Sequence, residues 1–233
     1  MTSNPVHMPT GPFAFDRSVA TIFPNMAERS IPGYRYCHNM VRQLSRDVDI
    51  RPGNQVWDLG CSRGDLIMQL RDDIDEPLTS FHAMDRSAAM ISVAQETYGA
   101  LAVRWYPHDV TMGLPDEMED VAIAVFGWTL QFLAVTDRRR VLTEVQERMT
   151  VGGAIFVMEK FSCGPERLQR EYLRWRRMNG YEPEEIMRKN AALEGVMIPW
   201  SRADLIAALR SAGFKDIHPF HTEFNFGGHV AAK

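Results

Sequence analysis

Val56-Trp57-Asp58-Leu59-Gly60-Cys61-Ser62-Arg63-Gly64 (VWDLGCSRG, residues 56–64) reads as a buried strand that runs into a glycine-bearing turn and then a helix. Val56 and Leu59 are apolar, and Trp57 favours extended backbone. Gly60 and Gly64 can adopt backbone angles that other residues avoid, and without side chains they are expected to let a ligand approach. The next residues, Asp65 to Arg71 (DLIMQLR), place Leu66, Ile67 and Leu70 at helical spacing. In α/β sheets ligands bind at the carboxyl ends of the strands, so such a unit is a nucleotide-binding candidate. Its spacing is not that of the dinucleotide fingerprint GxGxxG.

Downstream, Leu78 to Met84 (LTSFHAM) is expected to form a second strand ending at Asp85. Ser87 to Tyr98 then reads as a helix with Met90, Ile91, Val93 and Ala94 inward, and Leu101 to Tyr106 as a third strand before His108-Asp109-Val110. Val121 to Phe126 (VAIAVF) is a continuous apolar run, the pattern of a central parallel strand covered on both faces. Asp137 to Met149 reads as a helix, and Gly152-Gly153 is expected to end that connection before a strand at Ala154 to Met158. This alternation predicts an α/β fold with a doubly wound, mostly parallel sheet.

After Lys160 the pattern changes. Pro165 to Met178 and Pro183 to Leu193 read as two polar helices joined at Asn179-Gly180, carrying Arg167, Arg170, Arg174, Arg176, Arg177 and Arg188. Ser201 to Ser211 reads as a further helix, with Ser201 as N-cap and Gly213 as terminator. Phe214 to Phe220 and Thr222 to Ala232 are expected to close the sheet as an antiparallel pair, the terminal strand running against the rest. Upstream, residues 1–12 hold three prolines and a glycine and are expected to be loose. Asp16 can cap a helix over Arg17 to Phe23, which Pro24 should limit. A turn at Ser30 to Tyr34 precedes a helix from Tyr36 to Ser45. Residues 1–233 therefore read as one domain, with 1–50 an N-terminal helical cap and 164–195 a helical insertion after the fifth strand.

The bulk properties agree: 233 residues, 45% hydrophobic and 24% charged, are ordinary for one globular domain. A formal net charge of -4 gives no global electrostatic case for nucleic acid. No apolar run approaches the roughly 18–20 residues of a membrane span. The N-terminal MTSNPVHMPTGPF lacks a basic region followed by an apolar core, so no signal peptide is expected. Cys37, Cys61 and Cys163 are widely spaced, so neither a disulfide framework nor a zinc site is expected, and a reducing cytoplasm is. The seven histidines form no HExxH-type set, so no metal is expected.

Several side chains sit where chemistry is done in such folds. Asp58, ending the first strand, either orients the glycine loop and meets the amino end of a cofactor or caps a turn. Asp85 ends the second strand a little over 20 residues beyond the loop, where a carboxylate can accept both ribose hydroxyls. Arg86 beside it faces either solvent or an anion. Asp109, after the third strand, either accepts from an adenine amino group, with the Val110 N–H meeting the ring, or caps a turn. Phe126-Gly127-Trp128-Thr129 follows the fourth strand, where reacting groups would face the cofactor; Trp128 is either a face for a cation or core. Tyr34, Tyr181 and the insertion's arginines either bind an acidic substrate or are solvated. Cys61 has no evident base and reads as a small packing residue. Glu159-Lys160 is either catalytic or a buried pair, and no catalytic base stands out.

The loop, D-x-G-C-S-x-G, is similar to the one that holds S-adenosylmethionine in Rossmann-like methyltransferases. The similarity continues in order through FDRSVATIFPNMAERSIPGY (15–34), WDLGCSRG (57–64), TLQFL (129–133), EKFS (159–162), NGY (179–181), LEGVM (193–197), AGF (212–214) and FNFGG (224–228). On these segments the chain resembles the carboxy-S-adenosylmethionine synthase family, within the class I S-adenosylmethionine-dependent methyltransferase superfamily. The resemblance implies the Rossmann-like class I fold and a homodimer. It also implies synthesis of carboxy-S-adenosylmethionine from S-adenosylmethionine and prephenate, for a partner enzyme that modifies the wobble uridine of certain tRNAs. Carried over, the cofactor contacts fall on Tyr34, Gly60, Cys61, Ser62, Asp85, Arg86, Asp109 and Val110, beside Asp58 and Gly127 from the reading above. Trp128, Tyr181 and Asn190 fall on the substrate side.

Two positions depart from the resemblance. The family's asparagine two residues before the threonine of TLQFL is Gly127 here, and its carboxylate-binding arginine in the insertion is Asn190. A neutral amide lacks the charge-assisted bond of a guanidinium, worth roughly 1.5–3 kcal/mol. Arg188, two residues earlier on a helix, points elsewhere. The first expectation is therefore methyl transfer from S-adenosylmethionine to a small acceptor. The second is carboxy-S-adenosylmethionine synthesis with a rearranged carboxylate site. The third is a protein that holds the cofactor without turnover. Direct tRNA binding is not expected.

Overall fold

A computed structural model describes residues 13–99, 103–162 and 164–233. The expectations for residues 1–12, for the start of the third strand at Leu101 and for Cys163 lie outside those residues. Seven strands form one sheet: β1 (Gln55–Leu59), β2 (Ser80–Asp85), β3 (Arg104–Pro107), β4 (Val121–Gly127), β5 (Met149–Lys160), β6 (Lys215–Glu223) and β7 (Phe226–Ala232). Their order is β3-β2-β1-β4-β5-β7-β6. β1 to β5 pair in parallel, whereas β7 runs antiparallel to both neighbours, β5 and β6. The chain departs from β1 toward β2 on one side and returns to β4 on the other. That reversal opens a crevice beyond the carboxyl ends of β1 and β4, where α/β sheets bind ligands.

Side chains alternate across the sheet. Trp57, Leu59, Ala124, Phe126, Ile155 and Val157 pack with α5 (Val135–Arg148) and α8 (Arg202–Ala212). Val56, Ile123, Val125, Phe156 and Met158 pack with α2 (Tyr34–Ser45), α3 (Asp65–Asp73) and α4 (Ala88–Tyr98). Both faces being covered explains why β4 reads as an unbroken apolar run. The crevice is roofed by α1 (Arg17–Ser30) and the insertion helices α6 (Glu166–Met178) and α7 (Pro183–Leu193). Among the described residues, no helix is long and apolar enough to cross a membrane.

Three boundaries differ from expectation by more than two residues. Helix α1 passes through Pro24 to Ser30, because Val19, Ala20, Met26 and Ala27 are buried on one face and that packing outweighs a lost hydrogen bond. Strand β5 begins at Met149 and runs through Gly152-Gly153. Those glycines form an irregularity instead of a stop: a Cβ on Gly153 would lie 2.9 Å from the Ala122 carbonyl, where the β4–β5 register shifts. The β6–β7 hairpin turns at Phe224-Asn225, three residues later than read, since Glu223 pairs with Phe226. Phe224 takes φ +50°, with its ring against Tyr172 and Trp175.

Candidate functional site

The glycine loop is clamped to β2. The Gly60 and Cys61 N–H groups both donate to the Met84 carbonyl, at 2.7 and 2.9 Å. The two oxygens of Asp85 accept from Ser62 N at 2.9 Å and Ser87 N at 2.8 Å. A carboxylate has about four acceptor sites, so Asp85 keeps capacity for ribose hydroxyls while bracing the loop. Burial raises its pKa, against these N–H bonds and the Arg86 charge. Gly60 sits at φ +92° and Gly64 at φ +76°. A Cβ on Gly60 would strike Thr129, and one on Gly64 would strike Trp105. The glycines thus serve backbone conformation and protein contact, and Gly60 also lines the crevice.

One end of the crevice is acidic. Asp58 is 3% exposed and faces the cavity with Asp65, which accepts a hydrogen bond from the Tyr98 hydroxyl. Burial, and then the charges of Asp85 and Asp65, push the Asp58 carboxyl up to about 8. Such a carboxyl ionises on meeting a cation. Asp109 and Val110 line the same cavity; Asp109 also accepts from the Thr111 N–H at 2.9 Å and hydroxyl at 2.8 Å, so it is both cap and cavity wall. Arg86 is exposed at the rim. Cys61 is buried, and burial raises its thiol far above the range of a nucleophile.

The middle is aromatic. Trp128 follows Gly127 at the end of β4 with φ +57°, held by its N–H on the Met158 carbonyl at 2.7 Å. Its ring stacks on Tyr34, 5.0 Å between centroids, and His38 lies 4.5 Å from Tyr34. Burial keeps His38 neutral, its pKa lowered to about 4. Phe13, Phe15, Phe23 and Phe132 complete the apolar wall.

The far end is basic. Lys160 and Lys189 line the cavity beside Tyr172 and Phe226. Lys189 Nζ donates to Ser30 Oγ at 2.8 Å and to the Tyr181 hydroxyl at 3.3 Å. Tyr181 is buried behind it, between the guanidinium groups of Arg29 (4.4 Å) and Arg176 (4.8 Å). Arg176 is 2% exposed and donates through Nη1 to Asn190 Oδ1 at 3.1 Å. Asn190 itself is exposed and does not line the cavity. Glu159 lies outside the cavity, fully buried. Burial raises its carboxyl pKa, against the Arg138 charge.

With this geometry in place, comparison with known proteins identifies the family. Residues 56–153 match a methyltransferase domain. A carboxy-S-adenosyl-L-methionine synthase from Escherichia coli (strain K12) is 35% identical over 232 residues, covering 96% of this chain and 92% of that one. One from Klebsiella pneumoniae (strain 342) is 34% identical over 228 residues, with the same coverages of 96% and 92%. The chain belongs to the carboxy-S-adenosyl-L-methionine synthase family. It is an S-adenosylmethionine-dependent transferase and binds S-adenosylmethionine or its carboxylated derivative. In fold it is similar to the putative methyltransferase in a complex with the Haloferax volcanii Trm112 activator (TM-score 0.62, 16% identity, 93% and 96% coverage). It is also similar to PigF with SAH (TM-score 0.59, 17% identity, 94% and 60% coverage).

The crevice brings together Tyr34, Asp58, Gly60, Cys61, Ser62, Asp85, Arg86, Asp109, Val110, Gly127 and Trp128. Tyr181 supports it from behind, and Asn190 does not reach it. Sequence reasoning passed over His38, Asp65, Tyr172 and Lys189. For Lys189 a signal existed: it follows Ile186 by three residues, on the apolar face of α7. The same holds for Arg176, four residues after Tyr172 on the buried face of α6.

Proposed function

We propose that this chain makes carboxy-S-adenosylmethionine from a small anionic donor, prephenate by the family's resemblance: the donor's C–CO2 bond breaks as its ring aromatises and expels hydroxide, the hydroxide takes the sulfonium methyl proton and leaves as water, and the methylene carbon so formed bonds the released carbon dioxide. The observation that carries this is the polarity of the crevice. Asp58 and Asp65 sit at one end, suited to the cationic methionine portion, and Lys189 and Lys160 at the other, with Arg176 behind, suited to a carboxylate. The expectation of simple methyl transfer rested on Asn190 leaving no guanidinium nearby. Arg176, 3.1 Å from that side chain, weakens its premise. The product would feed tRNA wobble-uridine modification by a partner enzyme, and a homodimer belongs to the same reading. Arg170 and Arg174 pair with Glu166 and Glu171 on an exposed face, which argues for solvation over direct tRNA contact.

Incubation with S-adenosylmethionine and prephenate, followed by mass spectrometry of the nucleoside, tests the reading. A nucleoside heavier by one carbon dioxide is expected. The apolar aromatic wall favours a second reading, methyl transfer to a small aromatic acceptor. Appearance of S-adenosylhomocysteine without the carboxylated nucleoside would establish it.

A further inference from the structure

We propose that Lys189, backed by Arg176, is the contact by which this chain selects a ligand that carries a carboxylate over one that does not. The inference rests on the carboxylate chemistry argued above but names a residue that neither the glycine loop nor position 190 points to. Lys189 projects from α7 into the cavity and is 7% exposed. Its ammonium group meets two hydroxyls, Ser30 of α1 and Tyr181 of the α6–α7 connection. The charges acting on it come from Arg176 of α6, Lys160 of β5 and Arg29 of α1, and all are positive. Glu185 of α7 acts on the Tyr181 hydroxyl, not on Lys189. Arg176 adds a second unmet demand, since its Nε and Nη2 are buried without hydrogen-bond partners.

Among the described residues, no carboxylate pairs with the buried Lys189 or the buried Arg176, an arrangement that is costly unless a ligand supplies the anion. Burial, and then the three neighbouring cations, push the Lys189 amine well below the usual lysine range. An arriving carboxylate reverses that balance. Lys189 then holds its proton more tightly and forms a charge-assisted bond, worth about tenfold in affinity or more. Binding of a carboxylated ligand is thereby coupled to proton uptake.

Calorimetry in buffers of differing ionisation enthalpy tests this with two ligands, S-adenosylmethionine and carboxy-S-adenosylmethionine. The wild-type chain is expected to bind the carboxylated nucleoside about tenfold more tightly, and to take up extra proton with it. Lys189→Met should reduce the preference to near unity and abolish the extra proton. Lys189→Arg, charged at all relevant pH, should keep a preference but lose the extra proton; it carries the test if the methionine variant does not fold. Retention of the preference in Lys189→Met, persistence of the extra proton in Lys189→Arg, or absence of preference in the wild type would each overturn the proposal. Failure of the broader reading looks different: no carboxylated product from prephenate, while the preference and its loss in Lys189→Met remain.

Discussion

Asp58 and Lys189 are both buried ionisable groups, and in both burial works against the charged form. Asp58 is held protonated up to about pH 8 in the free chain, so a cationic nucleoside must displace its proton. Affinity for S-adenosylmethionine should therefore climb as pH rises toward about 8 and then level, approaching tenfold per unit well below that point. Asp58→Asn should flatten this profile and weaken binding by about tenfold or more, measured by titration calorimetry across that range. Gly127 makes a different case. Its φ is not in the left-handed region, and a Cβ there would meet only the Met158 methyl, at an ordinary 3.6 Å. The backbone does not require glycine, so Gly127→Asn should change unfolding free energy by less than about 0.5 kcal/mol. Under the carboxylation reading it should also raise turnover with prephenate, read by mass spectrometry.

At the scale of elements, the β1–α3 turn is the least replaceable. Gly60→Ala forces a side chain into Thr129 at φ +92°, and should cost on the order of 1–3 kcal/mol in urea unfolding along with nucleoside affinity. Helix α8 supplies the contrast. Ser201 caps it in a reciprocal capping box with Asp204, and neither residue lines the crevice. Ser201→Ala should cost about 1 kcal/mol and leave nucleoside affinity unchanged. Both turn and cap were legible in the sequence, because each depends on residue types at fixed local offsets. The β5 start, the passage of α1 through Pro24 and the late β6–β7 turn were not. Each is decided by a partner distant in sequence: the Ala122 carbonyl, the apolar face beneath α1, the rings of Tyr172 and Trp175. The candidate site divides in the same way. Its nucleoside half lies at strand ends that spacing can find, whereas its basic half needs α1, β5, α6 and α7 brought together.

At the scale of the molecule, acid stability should follow the buried histidines. His82 is fully buried, stacked 4.3 Å from Trp57 and bonded to Ser80 and Tyr106, and His229 is 1% exposed between β5 and β6. Burial first, then nearby arginines (Arg104 and Arg202), lower both pKa values to about 4. Unfolded histidine binds a proton near pH 6.5, so the unfolded state holds more protons between about 6.5 and 4. Stability should be full above that window and fall through it on acidification, by up to about 3 kcal/mol per histidine. Urea unfolding at stepped pH measures this, and His82→Asn should shallow the decline. The opposed charges at the two ends of the crevice carry a consequence for kinetics. A dianionic donor is drawn toward Lys160 and the Arg29 and Arg176 guanidinium groups, so its association should slow as ionic strength rises. The nucleoside brings its own positive and negative groups into the same field, and its association rate should be almost indifferent to salt.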